Sequence, residues 1–297
     1  MSQMLDEVRD VDEGKKLEAE QMLVKKRLGF LPTSIWRITK TKTLNRYVDD
    51  EMAKGTYGGW KQGKTGRKYV WNEPKEARLS QFNPVVAERV IKIWSKEGEK
   101  ILDPFSGRCR ALIAQKLNRQ YFGYEISPKA HAKMKERLAR NTLTPFKFPA
   151  QVICGDSAKI NTVNEFDMVF SCPPYWDVED YDKCYVEKTE GQLSSLHEYK
   201  DFLKQYGKII KKCYTALKPG KFCVWVVNDI RRDKRLIPFG SDTINLFEQA
   251  GFHFHDIIIN ELFGLAIMGV RRVLTLNYVP KMHEYILVFK KPEEELR

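Results

Sequence analysis

Hydrophobic and polar positions follow two periods along residues 83–290. Val85, Val86, Val90, Ile91, Ile93 and Trp94 recur at helical spacing. Asn83-Pro84 ahead of them supplies a cap and a first-turn proline. Short apolar runs then read as strands at 100–103, 120–125, 151–154, 166–171, 222–227, 254–260 and 284–290. Helical patterns fall between them over 111–117, 128–140, 199–217 and 242–250, the third ended by Lys218-Pro219-Gly220. Strands alternating with helices at this spacing predict an α/β fold: a doubly wound, mostly parallel, seven-stranded sheet with helices on both faces.

The pattern before residue 79 is different. Residues 1–20 are acid-rich and predict a solvated helix or tail. Over residues 21–78 the balance turns basic, with Phe30, Trp36, Tyr47, Tyr57, Trp60, Tyr69 and Trp71 interleaved. The run 55–68 is rich in glycine. Its Tyr57, Trp60, Lys61, Lys64, Arg67 and Lys68 suit a segment that follows a phosphate backbone and offers stacking faces. The division expected is therefore 1–20, a basic aromatic extension over 21–78 and a main domain over 79–297.

Charge strengthens that reading. Fifty-one Lys and Arg against thirty-nine Asp and Glu give a net charge of +12, which favours a polyanionic partner, nucleic acid first. No apolar run reaches the roughly 20 residues that span a bilayer. The six cysteines include no Cys-x-x-Cys pair, which predicts a reducing, cytoplasmic-type setting without a disulfide framework or a metal site.

In an open parallel sheet, ligands bind beyond the carboxyl ends of the strands. Four strand ends carry candidate chemistry: 103–107, Glu125, Asp156-Ser157 and 171–177. Ser106-Gly107 forms a tight turn at a helix N-terminus. The Gly-Lys-Ser/Thr ending of a phosphate loop is absent, so a smaller anionic group fits better than a pyrophosphate. A carboxylate at Glu125 suits a ribose diol, and one at Asp156 an adenine amine. Ribose and adenine with no phosphate clamp point to S-adenosyl-L-methionine. At the fourth end, Pro173 and Pro174 leave carbonyls without competing N–H donors, beside the flat rings of Tyr175 and Trp176. Such an edge can hold a planar, amine-bearing ring.

These motifs, in this order, resemble those of the DNA amino-methyltransferases, over about residues 80–290. Phe82-Asn83-Pro84 resembles the family's helix over the methionine end of the cofactor. Asp103-Pro104-Phe105-Ser106-Gly107 resembles its D-P-F-x-G loop, Tyr124-Glu125 its ribose-binding acid, and Gly155-Asp156 its adenine contact. Cys172-Pro173-Pro174-Tyr175 resembles its (Asp/Asn/Ser)-Pro-Pro-Tyr catalytic motif, and 283–289 its closing edge strand. The texture, with Trp176-Asp177 following, is similar to small methylases of phages and mobile elements. The resemblance implies a Rossmann-like methyltransferase fold and methyl transfer from S-adenosyl-L-methionine to an exocyclic nitrogen of adenine or cytosine in DNA, as in restriction–modification systems.

The pattern departs in three places. Arg108 and Arg110 stand in the family's Gly-Ser-Gly continuation, where they could bind a carboxylate or a phosphate, or point to solvent. No long target-recognition insert is present, so sequence reading falls to 21–80, 176–198 or 261–282, the last with Arg271 and Arg272. Cys172 replaces an oxygen-bearing residue, and a thiol is a weak acceptor. Ser171 or Asp177 could take the missing role, with Tyr175 stacking on an extruded base and Trp176 wedging or stacking beside it. Position 172 leaves alternatives open: carbon-5 methylation through a Cys172 thiolate, RNA as the substrate, or a non-catalytic nucleic-acid-binding protein.

Overall fold

The structure is a computed structural model that describes residues 13–38, 62–63, 66–67, 82–107, 109–140, 146–178, 188–262, 279 and 281–293. The chain divides into two compact units, residues 1–34 and 35–297. In the first, α1 (Glu13–Leu28) runs across the change from acidic to basic sequence at residue 20. It ends at Gly29, whose φ of 83° lets its N–H close on the Lys25 carbonyl at 2.8 Å.

The second unit opens with β1 (Ile35–Arg37) and a two-stranded piece, β2 (Gln62–Gly63) with β3 (Gly66–Arg67). Then come α2 (Pro84–Trp94), β4 (Lys100–Asp103), α3 (Arg110–Lys116), β5 (Gln120–Glu125), α4 (Pro128–Arg140), β6 (Gln151–Cys154) and β7 (Phe166–Ser171). The chain continues with α5 (Tyr199–Ala216), β8 (Leu217–Val227), β9 (Ile230–Arg232), β10 (Arg235–Ile237), α6 (Phe239–Gln249), β11 (His253–Glu261) and β12 (His283–Lys290). The main sheet has the order β1-β11-β12-β8-β7-β4-β5-β6, and β12 alone runs antiparallel to its neighbours.

Alternation along the central strands explains why both faces are covered. On β8, Cys223, Trp225 and Val227 face a cluster with Phe202, Tyr206, Ile209, Ile210 and Cys213 of α5 and Phe247 of α6. Val224 and Val226 face the other, with Val86, Ala87, Val90 and Ile91 of α2 and Ala111, Ile113 and Ala114 of α3. On β12, Leu287 and Phe289 join the first cluster, while Ile286 and Val288 join the second. A strand apolar on both sides needs a helical layer on each, and the doubly wound sheet provides both.

Three departures from the sequence pattern matter. Among the described residues the sheet has eight strands, not seven: β1 lies parallel to β11, with Trp36 opposite Asn260. Trp36 is a core side chain, 1% exposed, and offers no stacking face to nucleic acid. A three-residue strand is too short to show a period, and its role is to cover the edge that β11 would otherwise present. Second, β8 begins at Leu217, before Pro219-Gly220. Pro219 needs no ladder N–H there, because pairing with β7 slips between Phe166 and Met168. Third, the hairpin β9–β10 turns through Asp233 and Lys234 at φ 48° and 64°, without the Asn-Gly signal that marks such turns.

Candidate active site

The anticipated strand ends meet at the carboxyl edge of the sheet, and the described site residues sort into two sets. Phe82, Asn83, Phe105, Gly107, Glu125, Asp156, Cys172, Pro174, Tyr175 and Asp177 are half-buried there. Pro84, Asp103, Pro104, Ser106, Ser157, Ser171, Pro173 and Trp176 are buried. Tyr57, Trp60, Lys61, Lys64, Lys68, Arg271 and Arg272 lie outside the described residues, as does Arg108; of Arg67 only the backbone, in β3, is described.

The buried set revolves around Asp103. Its carboxylate accepts from Arg110 Nε (2.6 Å), Tyr121 Oη (2.7 Å), Ser171 Oγ (2.5 Å) and the Phe105 amide (3.2 Å). Expected to touch the cofactor, Asp103 instead is wholly buried and holds the loop's shape. Arg110 donates also to the Phe105 carbonyl at 2.6 Å, and its guanidinium lies over Phe82 (4.8 Å) and Phe170 (5.9 Å). Burial works against its charge, but the Asp103 carboxylate outweighs this and holds Arg110 above its ordinary pKa. Burial and the same carboxylate push the Tyr121 hydroxyl well up, so it stays a donor. Of the readings left open for Arg110, the protein's own carboxylate is the one realised.

Ser106 packs equally tightly, bonded to Tyr121 Oη at 2.9 Å. A Cβ on Gly123 would lie 2.7 Å from Tyr121 Cε1 and 2.8 Å from Ser106 Cβ, so the turn and β5 approach only because residue 123 lacks one. Asn83 Oδ1 accepts from the Val85 amide at 2.9 Å and caps α2. Phe82 meets Phe170 edge-on at 5.6 Å.

The half-buried set suits a nucleoside. Glu125 ends β5 and Asp156 follows the neighbouring β6 by two residues; the two strands pair as far as Glu125 opposite Cys154. Glu125 Oε1 accepts from the Ser127 amide (2.9 Å) and Asp156 Oδ1 from the Ala158 amide (2.8 Å), which fixes each carboxylate at the crevice. The loop at Gly191 closes over Asp156: a Cβ there would be 3.5 Å from Asp156 Oδ2 and 3.2 Å from Ile126 Cδ1. The donor set therefore fits S-adenosyl-L-methionine, with acceptors for a ribose diol and an adenine amine. Arg110, the described cation of the loop, is spent on Asp103.

At the fourth end, Tyr175 packs on Phe239 (6.1 Å), and its hydroxyl is 3.6 Å from Cys172 Sγ. Trp176 does not wedge outward. It is 9% exposed at φ 52°, a backbone state that costs of order 1–3 kcal/mol for a non-glycine residue. Its Nε1 donates to the Leu196 carbonyl (2.8 Å), its ring meets Tyr199 (5.2 Å), and Arg232 lies over it (5.3 Å). Both substitutes for the missing oxygen at 172 carry contacts of their own: Ser171 donates to Asp103 and accepts from the Phe105 amide at 3.3 Å, and Asp177 is ion-paired with Arg232 of β9.

Sequence reasoning missed Asn228-Asp229, Arg232 and Phe239. The strand-end rule used for β4 to β7 would have found the first pair, which follows the apolar run 223–227 directly. Asp229 accepts from the Gly240 amide (3.0 Å) and Tyr285 Oη (3.2 Å), tying the end of β8 to α6 and β12. Among the described residues no group of three His, Cys, Asp or Glu could hold a metal, and no helix is long and apolar enough to cross a membrane.

Fold and edge together define a class: a doubly wound α/β protein with carboxylates at neighbouring strand ends beside a Pro-Pro-aromatic edge. The chain belongs to the DNA methylase family of N6- and N4-methylating enzymes, whose profile matches residues 12–136 and 166–296. It is similar to the Type II beta methyltransferase M.BslI of Bacillus sp. (strain NEB-606), 31% identical over 122 residues, 37% of this chain and 12% of that protein. It is also similar to the Type II methyltransferase M.SmaI of Serratia marcescens, 30% identical over 99 residues, 32% of this chain and 34% of that one. The matched stretch is thus well under two thirds of either relative. Among solved structures, the [4+2]-cyclase SpnF shares the fold at a TM-score of 0.51 and 15% identity, over 84% of this chain and 93% of that one.

Proposed function

We propose that this protein is an S-adenosyl-L-methionine-dependent DNA methyltransferase acting on the exocyclic amine of adenine or cytosine. One observation carries the reading. In a chain of the DNA methylase family, the Gly107 turn, Glu125, Asp156 and the Cys172–Tyr175 edge converge on one end of the sheet. When bound, S-adenosyl-L-methionine supplies an electrophilic methyl group. Glu125 takes the ribose, Asp156 the adenine amine, and Phe82 and Asn83 flank the methionine end. The Cys172 and Pro173 carbonyls draw an amine hydrogen of the target base, localising a lone pair otherwise spread into the ring. Tyr175 stacks on the extruded base, backed by Phe239. The +12 charge, including Lys61, Lys64, Arg67, Lys68, Arg271 and Arg272, supplies phosphate contacts and a work site on DNA in the cytoplasm.

The test is incubation of the full chain with methyl-labelled S-adenosyl-L-methionine and, in parallel, unmodified genomic DNA and total RNA, followed by nucleoside mass analysis. The expected product is N6-methyladenine or N4-methylcytosine in DNA. Label at carbon 5, in RNA alone, or nowhere would overturn the proposal.

A further inference from the structure

A base amine presents two hydrogens, and drawing it toward tetrahedral geometry takes two acceptors. The backbone of the Pro-Pro edge provides one. The second is missing from position 172, because a thiol accepts weakly. Ser171 Oγ already serves Asp103 and the Phe105 amide, Asp177 faces Arg232, and the oxygens of Asp229 take the Gly240 amide and Tyr285 Oη, so each of these is already partnered. Of the buried oxygens without a partner among the described residues, those of Asn228 and Asn260 stand at strand ends of the sheet. Asn260 sits on β11, two strands away from β8, a lateral distance of roughly 10 Å.

Asn228 is placed differently. Strands β7 and β8 run parallel and end their pairing at Ser171 opposite Trp225. Continued by one residue, that register sets Cys172 opposite Val226, with Asn228 two residues on, just past the end of β8. With strands about 4.8 Å apart and a rise of about 3.3 Å per residue, the α-carbons of 172 and 228 lie roughly 8 Å apart. That distance lets two side chains close on one amine. Alternation puts Asn228 on the side of Val224 and Val226, which share a cluster with Cys172. Asn228 is 7% exposed, and a buried acceptor left unpaired costs about 1–3 kcal/mol, a cost that a ligand N–H would relieve.

We propose that Asn228 is a catalytic residue: its Oδ1 accepts the second hydrogen of the target amine and so supplies the oxygen that position 172 lacks. The amine nitrogen bonds to the methyl carbon as the carbon–sulfur bond breaks and its electron pair stays on sulfur. The surplus proton passes from nitrogen to water. The inference rests on the methylation reading above.

The experiment compares parent, Asn228→Leu, Asn228→Asp and the double variant Asn228→Leu/Cys172→Asp, with labelled S-adenosyl-L-methionine and unmodified genomic DNA. Binding of S-adenosyl-L-homocysteine is measured alongside by calorimetry. Asn228→Leu is expected to lower turnover about 100-fold, as for loss of one preorganised hydrogen-bond partner, with homocysteine-product affinity unchanged. Asn228→Asp, which keeps the acceptor, stays within about tenfold of the parent, and Cys172→Asp restores at least about tenfold to Asn228→Leu. Turnover of Asn228→Leu within about threefold of the parent overturns the proposal, as does an Asn228→Asp loss as large as that of a leucine. If leucine at 228 prevents folding, Asn228→Ala takes its place, with the same rescue by Cys172→Asp expected and its failure decisive. A parent chain that labels no nucleic acid defeats the methylation reading itself, whereas an active parent with an equally active Asn228→Leu defeats only this assignment.

Discussion

Replacing Arg110 with methionine keeps most of the side chain's volume and removes its charge from the centre of the cofactor loop. The pair with Asp103 is 3% and 0% exposed at a separation of 2.6 Å. For charge centres about 4 Å apart at an effective dielectric of about 20, the attraction is about 4 kcal/mol. The substitution also strips the Phe105 carbonyl of its 2.6 Å partner. It leaves the carboxylate with Tyr121, Ser171 and the Phe105 amide, none of which carries a positive charge. Breaking a buried pair from one side costs about 3–5 kcal/mol, so a loss of about 4 kcal/mol is expected. At about 2 °C per kcal/mol for a chain of this size, the unfolding midpoint falls by about 8 °C. The assay is urea unfolding of the parent, Arg110→Met, Asp103→Asn and the double variant, followed by circular dichroism. Removing both charges should cost less than the sum of the single losses, with a coupling of about 2 kcal/mol or more. A single loss under about 1 kcal/mol, or additivity within about 0.5 kcal/mol, would refute the account.

Other expectations follow from the same geometry. Gly123→Ala drives a Cβ into Ser106 and Tyr121 and should cost about 1–3 kcal/mol of overpacking, read from the denaturation midpoint. Burial raises the Glu284 carboxyl above its ordinary value, against the pull of Asn260 and Lys281, so its ionisation weakens the fold as pH rises through the folded pKa. Glu284→Gln should therefore raise the unfolding midpoint at pH 7 and leave it unchanged in acid below the ordinary carboxylate range; no difference between the two pH values would contradict this. Tyr175→Ala should abolish turnover while calorimetric binding of S-adenosyl-L-homocysteine persists; lost binding would place Tyr175 in the cofactor site instead. Deleting the basic extension is a poor test of the footprint, because Trp36 belongs to the sheet. Neutralising Lys61, Lys64, Arg67 and Lys68 together should flatten the salt dependence of DNA binding by about 3 to 4 in log–log slope, and an unaltered slope would locate the contact elsewhere.

Much of the fold was legible because local rules and tertiary packing agree. Seven strands and the helices between them follow from apolar runs with polar ends, and β4, β5, β6 and β7 match the sequence pattern to the residue. Element order and the carboxyl-end rule then brought the Gly107 turn, Glu125, Asp156 and the Pro-Pro-Tyr edge to one side. What local pattern could not convey was commitment. Whether Ser171, Asp177 or Trp176 can act on a ligand depends on Asp103, Arg232 and Leu196, which lie 68, 55 and 20 residues away. Hydrogen bonds across such separations leave no period in the sequence. The same holds for Trp36, whose three-residue strand carries too few positions to reveal a face, and for the Asp233-Lys234 turn, which lacks the usual glycine. The sequence by itself thus determined which elements form and which chemical groups stand at their ends. Only the tertiary structure decided which of those groups are spent on one another and which remain to meet a ligand, since burial removes water and makes each polar atom's partner a matter of what lies across the sheet.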